Sequence, residues 1–184
     1  MIAFFILMME TYAMASLIST EVLQRTVTAL MVTPMRIRHF LTAKTIFGTG
    51  LALTQVIVTL ALVGAFTTGN WSLLLAAAIT GAILFTGVAM LIGAAGKDFI
   101  GQLMYSLLFI VPLMIPAFTV LFPGTAAAWV RAIPSYPIAS LLVGATLYDA
   151  GWAPSFGVLA YALLWVVILY CLGLFVLKRK VESL

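Results

Sequence analysis

The sequence predicts an all-α, polytopic integral membrane protein with five transmembrane helices, a cytoplasmic amphipathic helix and a broken re-entrant or interfacial outer segment. Of the 184 residues 65% are hydrophobic and only 8% charged, and the mean hydropathy is +1.25. A soluble core of this size cannot bury so much apolar surface, so the chain belongs in a bilayer. Five apolar stretches have the length of a membrane span, and charge collects in one segment between the first two.

Each span is identified by its length. A hydrocarbon core about 30 Å thick needs about 20 helical residues, and stretches of this kind occur at 2–18, 46–66, 72–95, 101–121 and 156–177. We predict helices because lipid offers no hydrogen-bond partner to an exposed backbone. The third span repeats small residues four apart, Ala77 with Gly81 and Ala89 with Gly93, a spacing that lets helices approach closely.

The basic residues predict the direction of the spans. Placing residues 19–44, hereafter the charged segment, in the cytoplasm puts eight of the nine basic residues there and leaves only Arg131 outside, as the positive-inside rule requires. The carboxyl terminus is then cytoplasmic, so five spans would start the chain outside the cell. We therefore expect that a first span is missing from a truncated or misassigned start, with a genuine five-span protein as the alternative.

The outer connection, residues 122–155, is too long for a turn and is divided by four prolines, Pro123, Pro134, Pro137 and Pro154. Its apolar piece Ile138–Leu147 has half the length of a span, which is typical of interfacial or re-entrant segments. Pro112 and Pro116 weaken the preceding helix by removing backbone donors. Together Pro112, Pro116, Pro134 and Pro137 predict either a pliable outer gate or a lid.

Several function classes are excluded by what the chain contains. The nearest approach to a phosphate loop, Gly93–Asp98, has the wrong glycine spacing and no hydroxyl residue after its lysine. The carboxylates lie at different depths or on different sides, and the single Cys171 and His39 have no metal-ligand spacing. Since the basic residues flank spans instead of forming a stripe, nucleic acid is not a partner. We predict no enzyme activity, metal or cofactor for this chain.

Glu10 lies halfway along the first span. An ionisable residue at that depth costs roughly 2.5–3.5 kcal/mol on insertion scales and is a functional candidate by default. Gln55 falls at a similar depth in the next span. The two residues form either an interhelix polar pair, with the carboxyl protonated, or part of a polar translocation path.

The charged segment divides at Thr33-Pro34, where Thr33 can cap a new helix and Pro34 can occupy its first turn. Before this break the residues form an amphipathic helix, with Glu21 and Arg25 four apart on its polar face. After it, basic residues including Lys44 reach lipid headgroups beside apolar residues that face the lipid. The first half has no basic excess on its polar face, which favours docking to another protein.

These residues carry a family resemblance. The pattern consists of Glu21-Val-Leu-Gln-Arg-Thr-Val-Thr-Ala-Leu-Met-Val-Thr-Pro34 after a span, Lys44 at the next span, a glycine-rich third span, Ile133–Pro137 in the outer segment and a terminal Lys178–Lys180. Together these features resemble the permease subunits of type-2 ABC exporters. The resemblance covers nearly the whole chain through individually loose motifs. Two departures are the absent first of six spans and Arg25 standing where a glycine often precedes the threonine.

The resemblance implies a single permease transmembrane domain over residues 1–184, with residues 19–44 as the coupling segment. It implies two separate ATPase subunits that use the ATP, and a second permease copy or homologue. Contact with the ATPase would come from Glu21, Arg25, Thr26, Leu30, Thr33 and Pro34. An apolar or amphipathic substrate would leave the cell across the plasma or inner membrane.

Two other classes stay open. A secondary transporter could use Glu10 as its proton site, but such proteins are built from internal repeats with interrupted helices, and no convincing repeat is found. A membrane scaffold without transport activity is the other alternative. An ATPase that purifies with the chain would discriminate these classes from an exporter permease.

Overall fold

A computed structural model describes residues 1–24, 37–95, 99–122, 127–148 and 150–182. These ranges contain no strand. They contain one 3₁₀-helix, Ala128–Ala132, and seven α-helices: α1 Ile2–Leu23, α2 Ile37–Leu62, α3 Ala65–Thr68, α4 Trp71–Ala95, α5 Phe99–Leu121, α6 Tyr136–Leu147 and α7 Trp152–Glu182. The described chain is therefore all-helical.

Five of these helices are long and apolar enough to cross a membrane, as predicted. The qualifying stretches are Ile2–Glu21, Thr42–Leu62, Trp71–Ala95, Ile100–Leu121 and Trp152–Gly173. The second span ends at Leu62 and not at residue 66, because Gly64 takes the left-handed backbone conformation with φ 70° and starts the short α3. Glycine adopts this conformation without the steric penalty that a Cβ brings.

Helix α4 is the centre of the bundle and packs against α1, α2, α5, α6 and α7. Its glycines allow this close packing. A Cβ added to Gly93 would lie 2.8 Å from the Cβ of Ile18 and 2.9 Å from the carbonyl oxygen of Ala15. A Cβ on Gly81 would lie 3.0 Å from both Leu7 and Ile138. Small residues in α4 therefore bring α1 and α6 against it.

The outer segment descends into the bundle and turns back. The hydroxyl of Ser135 donates to the carbonyl of Leu113 at 2.7 Å. Leu113 lies eight residues before α5 ends at Leu121, and this separation is about 12 Å along the helix. Ile138 is fully buried beside Gly81, well inside α4. Helix α6 thus begins deep in the bundle and returns to the end from which it came, so the segment is re-entrant with respect to the bundle.

Asn70 fastens this returning helix to the start of α4. Its Nδ2 donates to the carbonyl of Ala150 at 3.3 Å and its backbone N–H to that of Ala145 at 3.2 Å. Its Oδ1 accepts from the N–H of Leu73, as an N-cap side chain does. A Cβ on the preceding Gly69 would lie 2.1 Å from the carbonyl oxygen of Ala145. This junction forms the opposite end of the bundle, remote from the charged segment.

Candidate coupling and translocation site

Glu10 and Gln55 meet between α1 and α2 at mid-helix. Their side chains lie within reach of a hydrogen bond to each other, and Glu10 is only 5% exposed. The helices approach closely nearby, since a Cβ on Gly48 would lie 2.7 Å from the Cε of Met14. The structure thus brings together the two polar residues that the sequence placed at similar depth.

The pair has a buried side and a surface side. Oε1 of Glu10 is buried and has no hydrogen-bond partner among the described residues, whereas Gln55 is exposed on the outer face of α2. A buried carboxyl oxygen without a partner loses the solvation that water would give it. This arrangement fits an interhelix pair and also fits the edge of a polar path along α2, the two roles that the sequence left open.

At the charged end of the bundle an ion pair joins α1 to α2. Nζ of Lys44 lies 2.5 Å from Oε1 of Glu21, and the two side chains are 20% and 27% exposed. The four-residue spacing predicts a pair between Glu21 and Arg25, but Arg25 lies outside the described residues. The partner that the structure gives to Glu21 is a lysine 23 positions along the chain.

Only Glu21 of the six predicted coupling residues lies within the described part of the chain; Arg25, Thr26, Leu30, Thr33 and Pro34 lie outside it. Helix α1 continues to Leu23 and α2 already begins at Ile37, so residues 37–44 form the first turns of α2. The ion pair between Glu21 and Lys44 therefore joins the two helix ends between which the other predicted docking residues lie in the sequence.

The four predicted gate prolines occupy different places. Pro112 and Pro116 lie inside α5, which continues without interruption from Phe99 to Leu121, so they do not divide that helix. Pro137 is buried in the first turn of α6, where a missing backbone donor costs little, and Pro134 lies in the turn just before it. Two prolines thus shape the re-entrant turn, while a gating role for all four stays a prediction.

Sequence reasoning missed Asn70 and Ser135 as residues that position the outer segment. An asparagine directly before an apolar helical run is an N-cap signal, and this signal could have identified Asn70. Ser135 is fully buried, and no local pattern indicates a bond to a carbonyl of another helix.

Four apolar spans around a fifth, buried central span, with a re-entrant helix at one end, define a polytopic helical membrane protein. The family described as "ABC-2 family transporter protein" matches residues 1–176, and the chain belongs to this family. The family supplies the transmembrane component of ABC transporters, which associates with an ABC ATPase subunit and generally dimerises. No curated protein and no solved structure matches the chain.

Proposed function

We propose that this chain is the permease subunit of an ATP-driven exporter, coupled through residues 21–34 to separate ATPase subunits. The family match over residues 1–176 is the observation that carries the proposal. The orientation follows from the basic residues, which place the charged segment and the carboxyl terminus in the cytoplasm of a cell-membrane protein. The cargo is an apolar or amphipathic molecule moved outward.

The ion pair between Glu21 and Lys44 supports a mechanical route. Because it joins the last turn of α1 to the first turns of α2, a force on the segment between them acts on both helices together. Helix α1 is held against α4 at Gly93, whereas only 22% of the apolar stretch of α2 is buried. We therefore expect such a force to move α2 more than α1.

The exposed face of α2 supports a translocation path along this helix. Gln55, Thr54 and Gly50 are exposed on it, and a Cβ on Gly50 would meet nothing within 4 Å. A polar amide facing lipid is unfavourable, so a second permease copy or the cargo covers this face in the working complex. The nucleotide states of the ATPase can drive transport only if they favour different positions of α2.

The decisive experiment purifies the chain with the products of its neighbouring genes and asks whether an ATPase accompanies it. In that complex Arg25→Glu is expected to abolish substrate stimulation of ATP hydrolysis without affecting membrane insertion, because it reverses a charge on the proposed docking face. Arg179→Glu, a reversal at an exposed position near the end of α7, serves as the matched control. Unchanged stimulation in Arg25→Glu contradicts the coupling role.

A charge exchange tests the ion pair at the base of the segment. Glu21→Lys and Lys44→Glu each place two like charges where Nζ and Oε1 now meet, so each single variant is expected to reduce transport. Lys44→Glu leaves the predicted contact residues unaltered and is expected to do so at unchanged ATPase binding. The double variant restores opposite charges and is expected to recover most of the transport. A double variant that still binds the ATPase but transports no better than either single one shows that the pair does not transmit the movement.

A further inference from the structure

A cavity of about 300 Å³ lies at the opposite end of the bundle, between α5, the 3₁₀-helix and α6. Its polar lining residues are Thr119, Arg131, Tyr136, Ser140 and Tyr148, and the others are valine and glycine. No carboxylate of the described residues lines it. The cavity is separate from the Glu10 and Gln55 pair and from the charged end.

The donors that line this cavity fit an oxyanion. The hydroxyls of Thr119 and Ser140 donate to carbonyls of their own helices, each at 3.0 Å, so their hydrogens are already used. Arg131 forms no ion pair within the described part of the chain. The guanidinium and the phenols of Tyr136 and Tyr148 donate to no described protein group. A guanidinium fork with two hydroxyl donors suits a phosphate.

The depth of Arg131 favours a lipid as the source of that phosphate. The neighbouring carbonyl of Ala132 accepts from the hydroxyl of Tyr161 at 3.4 Å. Tyr161 lies nine residues after α7 begins at Trp152, which places it about 13 Å along that helix. The arginine is nevertheless exposed. An exposed cation below the helix ends is costly without an anion, and its long side chain can reach upward to a headgroup.

The surroundings of the cavity also match the edge of a bilayer. Trp71, Trp129, Tyr148 and Trp152 are all exposed at this end of the bundle, and such aromatic side chains mark the membrane interface. Beside the cavity Phe118, Leu121 and Phe122 expose apolar side chains, a surface along which an acyl chain can lie.

We propose that this cavity binds the headgroup of an anionic phospholipid from the adjacent leaflet, with Arg131 as the donor to its phosphate and the phenols of Tyr136 and Tyr148 as further donors to the headgroup. The bound lipid would bridge α5 to the re-entrant α6 and stabilise the outer segment. The proposal does not depend on ATPase coupling.

The test uses the full chain, purified in detergent and freed of lipid, with binding of phosphatidylglycerol followed by native mass spectrometry. Phosphatidylglycerol is expected to bind more tightly than phosphatidylcholine, and Arg131→Gln is expected to weaken its binding about tenfold, since a hydrogen-bonded charge is lost. Tyr136→Phe should weaken it less. Arg179→Gln removes an exposed cation at the charged end and should have no effect.

Three results would overturn the proposal. One is equal phosphatidylglycerol affinity in Arg131→Gln and the unaltered chain, with thermal unfolding in the absence of lipid showing that both are folded. Another is displacement of the lipid by millimolar inorganic phosphate, which would indicate a site for free anions. The third concerns Asp149, which lies outside the described residues. If Arg131→Gln weakens phosphatidylglycerol binding only in a chain that also carries Asp149→Asn, the aspartate and not the lipid is the partner of the arginine in the unaltered chain.

Discussion

At the scale of single residues, polar side chains inside the bundle carry most of the functional information. Glu10 and Gln55 lie within reach of a hydrogen bond across α1 and α2, and the carboxyl is nearly inaccessible. Their chemistry is visible in the sequence because carboxylates and amides are rare in apolar spans. The unequal exposure of the two residues is visible only in the folded chain.

Substitution at Glu10 separates the structural role from a role in the path. Glu10→Gln keeps a group that can bond to Gln55 and is expected to fold and transport like the unaltered protein. Glu10→Leu leaves the amide without its partner and is expected to lower stability by roughly 0.6 kcal/mol and at most about 1.7 kcal/mol, the range for interhelical hydrogen bonds in membranes. Thermal unfolding in detergent measures stability, and uptake into inverted vesicles measures transport. A Glu10→Gln variant that folds normally but does not transport assigns the carboxyl to the path or to a proton site.

At the scale of elements, the small residues of α4 determine how closely the other helices approach. A Cβ at Gly93 would meet backbone and side-chain atoms of α1, and a Cβ at Gly81 would meet side chains of both α1 and α6. Repeated small residues in one span predict close packing, but they do not say which helix fills the groove. In this protein the groove at Gly81 is shared by a membrane span and the re-entrant helix.

Adding one methyl group to α4 tests this packing. Gly93→Ala is expected to destabilise the protein by about 1–3 kcal/mol, because its Cβ would overlap the carbonyl of Ala15 and the side chain of Ile18. Gly50→Ala on α2 is the matched control, since a Cβ there meets nothing within 4 Å and alanine favours a helix by roughly 0.5–1 kcal/mol. Both midpoints of thermal unfolding are measured in the same detergent. Equal midpoints would show that α1 and α4 are not closely packed at Gly93.

At the scale of the whole molecule, the five spans alternate in direction, so the termini of these spans collect at two ends of the bundle. One end holds the ion pair of Glu21 with Lys44, and the other holds the junction at Asn70 and the cavity around Arg131. The basic residues predict that the first end faces the cytoplasm.

Single cysteines test this orientation. Cys171 is exposed, so it is first replaced by serine, and one cysteine is then placed at Gln24 or at Ala127, which are exposed at the charged and the opposite end. A membrane-impermeant maleimide applied to intact cells is expected to label Ala127→Cys but not Gln24→Cys. Both variants should react after permeabilisation. The reverse pattern would invert the orientation.

The sequence by itself determined the class of fold, the number of spans and the half-length segment between α5 and α7, because the length and period of apolar residues are local properties. Only the tertiary structure decided that this segment is re-entrant, that Glu21 pairs with Lys44, and that Asn70 and Ser135 fasten distant helices. These contacts join residues 22 to 80 positions apart. They depend on which helix faces lie together, and hydropathy cannot specify that choice in helices that are apolar on every side.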